Sequence, residues 1–240
     1  ICVRWQWWRG PHGKRAAGVW CHSGRAAQCG MQAPAPRVLL VHGLLNANSW
    51  LLPLAARLRA QGFDPALFGY SSLLDGPERA VPRLVERLRR ERVAAIVGHS
   101  LGGLIALEAL RAAPDAAVTR VVCLGSPLRG SETARRVAER AWARPFLGRS
   151  ATLLQTGMAD WRGNAEVGVV AGDAPRGAGC FFAHFQEPSD GTVALAETRL
   201  PWLADHVVLP CSHSGLVLSR QAVTQATSFL RDGRFHHDAE

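Results

Sequence analysis

Gly98-His99-Ser100-Leu101-Gly102 sets a serine between two glycines, directly after the apolar run Ala94–Val97 and directly before the helical run Leu101–Ala112. A strand that turns at once into a helix strains the backbone of the turning residue, and the chain closes on itself there only where its neighbours are small. Such a turn lifts the serine hydroxyl above the sheet, at a helix N-terminus whose unpaired N–H groups and dipole favour developing negative charge. The chemistry this suits is nucleophilic attack on a carbonyl carbon. The plainer reading of the same residues is a glycine-rich strand–helix turn that only packs closely.

A serine hydroxyl is a poor nucleophile until a base takes its proton, and the base needs an acid to orient it. His213, in Cys211-Ser212-His213-Ser214-Gly215 after the last apolar run, is the candidate base. His206 lies before the centre of that run and is expected at the opposite end of the sheet. His184 sits in the aromatic segment Phe181–Phe185, while His236 and His237 fall in the tail. For the acid, Asp173 follows the run Val167–Ala171, and Asp190 opens Asp190-Gly191-Thr192-Val193. Both stand, because Ser100, acid, His213 is the same chain order with either, and an aspartate near glycine is also an ordinary turn residue. The developing oxyanion needs two N–H donors. Leu101, after the nucleophile, supplies one; Leu44, in Val41-His42-Gly43-Leu44, supplies the other. His42 ends a buried run, so we read it as a hydrogen-bonded residue that shapes this loop rather than as the base.

These residues need a sheet to hold them. Val38–His42, Ala66–Tyr70, Ala94–Val97, Val118–Leu124, Val167–Ala171 and Val207–Leu209 read as short buried strands. Between and after them, Asn46–Gln61, Pro82–Glu91, Leu101–Ala112, Ser131–Trp142 and Gly215–Arg231 carry helical patterns. Strands alternating with helices predict an α/β fold: a mainly parallel sheet of about six strands flanked by helices. The chain has 240 residues, 48% of them hydrophobic, with 28 basic against 19 acidic side chains, which suits one globular domain and excludes a disordered chain. No apolar run approaches the roughly 20 residues of a transmembrane helix, and six scattered cysteines exclude a disulfide-built miniature fold.

Residues 1–30 differ from the rest. They hold Arg4, Arg9, Lys14, Arg15 and Arg25 without an acidic residue, four of the eight tryptophans, and no periodicity; the first methionine is Met31. A basic, tryptophan-rich arm suits nucleic acid or anionic lipid. The plainer expectation is a leader, translated from upstream or added by an expression vector, on a single domain spanning 31–240. It is no secretory signal, since charges interrupt any apolar stretch. We therefore expect a cytoplasmic protein with no transmembrane anchor and no nucleic-acid partner; oligomeric state is not legible.

The His42-Gly-Leu44 turn, the Gly98-His-Ser-Leu-Gly-Gly103 elbow, Asp190-Gly-Thr-Val193 and Ser212-His-Ser-Gly215 together resemble the α/β-hydrolase superfamily, within it the bacterial lipase and esterase branch, over residues 36–232. The resemblance implies an α/β-hydrolase fold whose sheet begins at the strand usually numbered third. It implies a Ser100–Asp190–His213 triad, since the acid of that branch commonly sits in an Asp-Gly-x-Val segment. It also implies a serine carboxylic-ester hydrolase, acting on small-molecule or lipid esters without a cofactor. The calcium site of some secreted lipases has no matching carboxylate cluster, and Cys123, Cys180 and Cys211 lack metal-ligand spacing. A small cap insert, about 128–165, follows the fourth strand. Trp142, Phe146 and Leu147 from it, with Trp50 and Leu128, are candidate lining for an acyl pocket, although each is also an ordinary core residue type. Thioesterases, amidases, lactonases and acyltransferases share this elbow and triad, and a non-catalytic binding domain is the remaining alternative.

Overall fold

Every apolar run of the body becomes a strand of one sheet. In the computed structural model these are β1 (Arg37–Val41), β2 (Asp64–Phe68), β3 (Ala95–His99), β4 (Arg120–Leu124), β5 (Glu166–Gly172) and β6 (Asp205–Leu209). The structure describes residues 34–158, 160–176 and 187–237, and the backbone of Trp8–Arg9 and Arg15–Ala16. These two short strands pair antiparallel within a unit spanning Ile1–Pro34, separate from Ala35–Glu240. The six strands run in the order β2-β1-β3-β4-β5-β6, all neighbours parallel. Register decides where the site can be. Val41 lies level with Gly98, and His99 with Leu124. The loops that follow β1, β3 and β4 therefore leave the sheet at one height.

Alternate side chains of these strands feed two cores. Leu39, Val41, Ile96, Val121 and Cys123 pack with α2 (Gly76–Arg90) and α3 (Leu101–Ala112) on one face. Val38, Leu40, Val97, Val122 and Leu124 pack with α1 (Leu52–Ala60) and α8 (Arg220–Asp232) on the other. Nine of the twelve α3 residues are buried. That fits a helix apolar nearly all round, which must be covered on both sides.

Between β4 and β5 lie α4 (Glu132–Glu139), a 3₁₀ segment (Arg144–Ser150) and α5 (Ala151–Thr156). α4 is three residues shorter at its end than its pattern predicts, and starts at an N-cap, Ser131, whose Oγ accepts from Ala134 N at 3.1 Å. Beyond the chain's narrow Asp190 turn come two single-turn helices, α6 (Leu195–Thr198) and α7 (Gly215–Leu218).

The bounds of α2 and of the last helix differ from expectation for physical reasons. α2 starts six residues before Pro82, at Gly76, with another proline, Pro77, in its first turn. Pro82 sits inside the helix at the loss of one N–H donor, because Ala80, Leu84, Val85 and Leu88 all gain burial from continuity. The expected single helix Gly215–Arg231 breaks at Ser219, which is extended (ψ 132°) and accepts from Ala222 N at 3.2 Å to cap α8. At the β2 edge, two arginines of α2 reach over: Arg87 Nη1 donates to Leu67 O at 2.7 Å and Arg83 Nη2 to Gly69 O at 3.1 Å. No helix among the described residues is long and apolar enough to cross a membrane.

Candidate active site

Ser100 sits between β3 and α3 with φ 54° and ψ −122°. Only two described non-glycine residues have positive φ, and the other is Leu45, in the loop facing it. A side chain at Gly98 would strike the Gly103 backbone, and one at Gly102 the Val41 carbonyl. Those two contacts are why the elbow needs glycine on either side of its serine. Ser100 N–H donates to Leu124 O at 2.9 Å, which ties the strained residue to β4.

The loop after β1 abuts the serine. A Cβ at Gly43 would lie 3.0 Å from the Ser100 Cβ. The loop is braced from below. The His42 ring nitrogens lie 2.9 Å from Gly43 O and 3.1 Å from Tyr70 O, its ring stacks on Tyr70 at 4.4 Å, and the Tyr70 hydroxyl donates to His42 O at 2.8 Å. Leu45 N–H donates to Ser72 Oγ at 2.9 Å. His42 thus shapes this loop and does not approach His213's role. On the other side, Leu101 is the first residue of α3, a position whose N–H has no partner within the helix.

His213 and Asp190 meet over β4. His213 Nδ1 lies 2.6 Å from Asp190 Oδ2, and both residues are buried. The second carboxylate oxygen accepts from Thr192 N at 2.9 Å and Val193 N at 2.7 Å. The aspartate therefore holds its turn with one oxygen and the imidazole with the other. Asp190 O also accepts the His213 N–H at 2.9 Å. Gly125, one residue past the Leu124 that holds Ser100, has φ 57°, and a Cβ there would stand 3.0 Å from Asp190 Oδ2 and 3.2 Å from His213 Nδ1. Ser100, His213 and Asp190 thus share one end of the sheet. Asp173 is elsewhere: its carboxylate is exposed, while its N–H bonds Leu209 O at 3.1 Å. His206 lies in β6, 2.8 Å from Thr198 Oγ1, and burial first, then Arg199, lowers its pKa to about 4. His237 bonds Asp205 at 2.9 Å. His184 and Cys180 lie outside the described residues.

Sequence reasoning missed the side chains around this core. His99 Nε2 lies 3.1 Å from the His213 carbonyl, and the two rings are 4.8 Å apart. Burial, with His213 next, lowers the His99 pKa to about 3. Glu197 accepts from the Glu132 and Ala194 amides, and burial raises its pKa. His99 stood inside the elbow motif, so its position was available to the reader of the sequence; nothing marked Glu197.

The proposed pocket residues divide. Leu128 and Leu147 are buried in the same core as Leu101 and Leu104, with Leu44 packed against it. Trp50 packs against the opposite core. Trp142 is 68% exposed and Phe146 50% exposed. A cleft of about 370 Å³ lined by Arg199, Leu200, Leu203, Asp205 and His206 lies at the far end of β6. Among the described residues no group of His, Cys, Asp and Glu could hold a metal ion, and Cys123 and Cys211 are unbridged.

Comparison with known proteins agrees with this architecture. The mature form of a Bacillus licheniformis lipase superposes with a TM-score of 0.67 at 21% identity, covering 83% of this chain and 92% of that one. A type II thioesterase from the borrelidin biosynthetic cluster gives 0.51 at 18% identity, covering 83% and 92%. A pyrethroid hydrolase gives 0.56 at 16%, covering 83% and 98%. These identities speak for the fold alone. No curated protein sequence matches. The model of the alpha/beta hydrolase family matches residues 38–232, the span that holds the elbow, the aspartate turn and the histidine loop, and the chain belongs to that family.

Proposed function

We propose that the protein is a serine carboxylic-ester hydrolase, with Ser100 as nucleophile, His213 as base and Asp190 as orienting acid. The observation that carries this reading is the buried 2.6 Å contact between His213 and Asp190, beside a serine held at positive φ. Strain of that kind persists where the surroundings enforce it, and it clusters at reacting groups.

The reaction this reading assigns to these groups is acyl transfer through a serine ester. As Ser100 Oγ attacks the ester carbonyl, its proton passes to His213 Nε2, and the Asp190 carboxylate stabilises the imidazolium through the Nδ1–H bond. The carbonyl oxygen becomes an oxyanion that accepts from the Leu44 and Leu101 amides. Collapse breaks the bond to the alkoxy oxygen, which leaves as alcohol with the proton from His213. Water then gives a proton to His213 and attacks the acyl-serine, and the carboxylic acid departs as Ser100 recovers its proton. Leu128 and Leu147 share an apolar core with Leu101, with Leu44 packed against it, which supports aliphatic or aryl acyl groups over charged ones.

The test is hydrolysis of p-nitrophenyl esters from acetyl to long acyl chains, by wild type and Ser100→Ala, alongside labelling by a fluorophosphonate. Ser100→Ala should lose at least about 10³-fold in kcat and all labelling. A wild type that is labelled yet hydrolyses no ester would move the substrate to a thioester or amide. Equal activity in the variant would remove Ser100 from the chemistry.

A further inference from the structure

The base of this site stands on a loop, not on a strand or helix: His213 lies between β6 and α7. A base must be held to within about 0.5 Å and 10–20° to act, so the loop needs anchors. Two are supplied by Asp190, through its carboxylate on Nδ1 and its carbonyl on the His213 N–H. Both come from one turn, and both lie on the acid side of the imidazole.

The third anchor comes from the nucleophile's side. We propose that His99, the residue before Ser100, is a positioning residue for the base: its Nε2–H holds the His213 carbonyl and thereby sets the imidazole relative to the serine. A carbonyl oxygen only accepts, so His99 Nε2, at 3.1 Å, carries the proton. That fixes the tautomer and leaves Nδ1 as an acceptor. Nδ1 is buried with no hydrogen-bond partner, and it faces the loop after β1, 3.2 Å from where a Cβ on Gly43 would stand. An apolar side chain would avoid that orphaned nitrogen. A histidine here is accounted for by what its other nitrogen does.

The arrangement links three parts in one line. His99 shares a peptide bond with Ser100, lies against the oxyanion loop through Nδ1, and grips the histidine loop through Nε2. Since the His99 backbone is the last residue of β3, fixed in register with Leu124, the base is referred to the same strand that carries the nucleophile. The rings, 4.8 Å apart and tilted by 46°, also require His99 to stay neutral when His213 takes the serine proton, because a second cation would oppose the first. Complete burial keeps it so.

This inference rests on the triad reading, and its test separates the two. His99→Phe keeps a ring and removes the donor; His99→Gln keeps a donor of similar reach and removes the ring. Steady-state kinetics on a p-nitrophenyl ester and the low-field NMR resonance of the proton between His213 and Asp190 are read on the full chain. We expect His99→Phe to lose between tenfold and about 10²-fold in kcat with KM changed less than about twofold. Its low-field resonance should broaden or move upfield, and His99→Gln should restore most of both. If His99→Phe does not fold, His99→Leu takes its place in the comparison with Gln. A donor-less variant with wild-type kcat and an unmoved resonance overturns the proposal. So does an equal kcat loss in the Gln and donor-less variants with the resonance unmoved, which would make His99 a packing residue. If wild type hydrolyses no ester, the ester reading fails, and the resonance alone still decides for or against His99.

Discussion

The Thr133 hydroxyl, on the first turn of α4, donates to the Thr192 carbonyl at 2.7 Å, two residues from Asp190. The same Thr192 amide donates to the Asp190 carboxylate. Glu197 makes a second tie, taking the Glu132 amide at the head of α4 with one oxygen and Ala194 N–H with the other. The insert after β4 is therefore bonded to the turn that bears the acid, and not merely laid over it.

Loosening this tie should be felt at the active site. Thr133→Val leaves the Thr192 carbonyl without its partner, and Glu197→Gln turns an amide donor toward one of two N–H groups. Each should lower unfolding free energy by about 1–3 kcal/mol and reduce kcat severalfold. Denaturant unfolding and ester kinetics on the same preparations check it. Stability that falls while kcat stays at the wild-type value would show that the tie does not reach Asp190.

Asp190→Asn should cost roughly 10⁴-fold in kcat, the size of loss seen when an amide replaces the triad carboxylate and the base takes the wrong tautomer. Asp173→Asn, on an exposed carboxylate away from His213, should stay near wild type. A reversed order of the two losses would move the acid.

Gly125→Ala tests how tightly the acid and base are packed. Its φ of 57° disfavours alanine, and the new methyl would sit 2.9 Å from Leu216 Cδ1 and 3.0 Å from Asp190 Oδ2. Overpacking of this kind costs about 1–3 kcal/mol, so we expect a lower Tm together with a lower kcat. Activity held at wild type would mean that the loop carrying His213 moves away without consequence.

Acid should unfold the protein partly through its buried histidines. His99 and His206 sit at about 3 and about 4, against an ordinary 6.5, so the unfolded chain binds protons that the native chain refuses. Their contribution is whole above about pH 6.5 and is lost as pH falls from there toward those lowered values. For His99, faced by His213 and His42 and fully buried, the loss is on the order of 1 kcal/mol per pH unit. His206, faced by Arg199, Asp205 and His237, is partly solvated and adds less. Urea unfolding of wild type and His99→Phe across this range should give a flatter pH dependence for the variant. Parallel curves would contradict the assignment.

Much of this molecule is legible in its sequence. Helix Leu101–Ala112 matches its expected bounds, and each strand overlaps an apolar run, because a short run such as Val38–Val41, buried on both faces of a sheet, has few other uses. Ser100 and His213 could be named from their places after strands. The choice between Asp173 and Asp190 could not be made from residue type, since both stand in turns; it took the fold to bury one beside His213 and expose the other. The pocket suffered the same limit. Trp142 and Leu147 look alike as apolar residues of one insert, and only the packing of the 3₁₀ segment sends one to solvent and the other to the core. Glu197 was invisible because its partners are backbone amides, which every residue has.

The pair of arginine contacts at the β2 rim has a meaning beyond local satisfaction. Among the described residues β2 has a neighbour on one side only, and a bare outer edge is a template on which another chain can add a strand and begin an ordered aggregate. Leu67 O and Gly69 O are already engaged by guanidinium groups, and any intruding strand would have to evict two cations to use them. Truncating Arg83 and Arg87 together would strip that guard from the edge, exchanging a solvated, ion-paired rim for a sticky one.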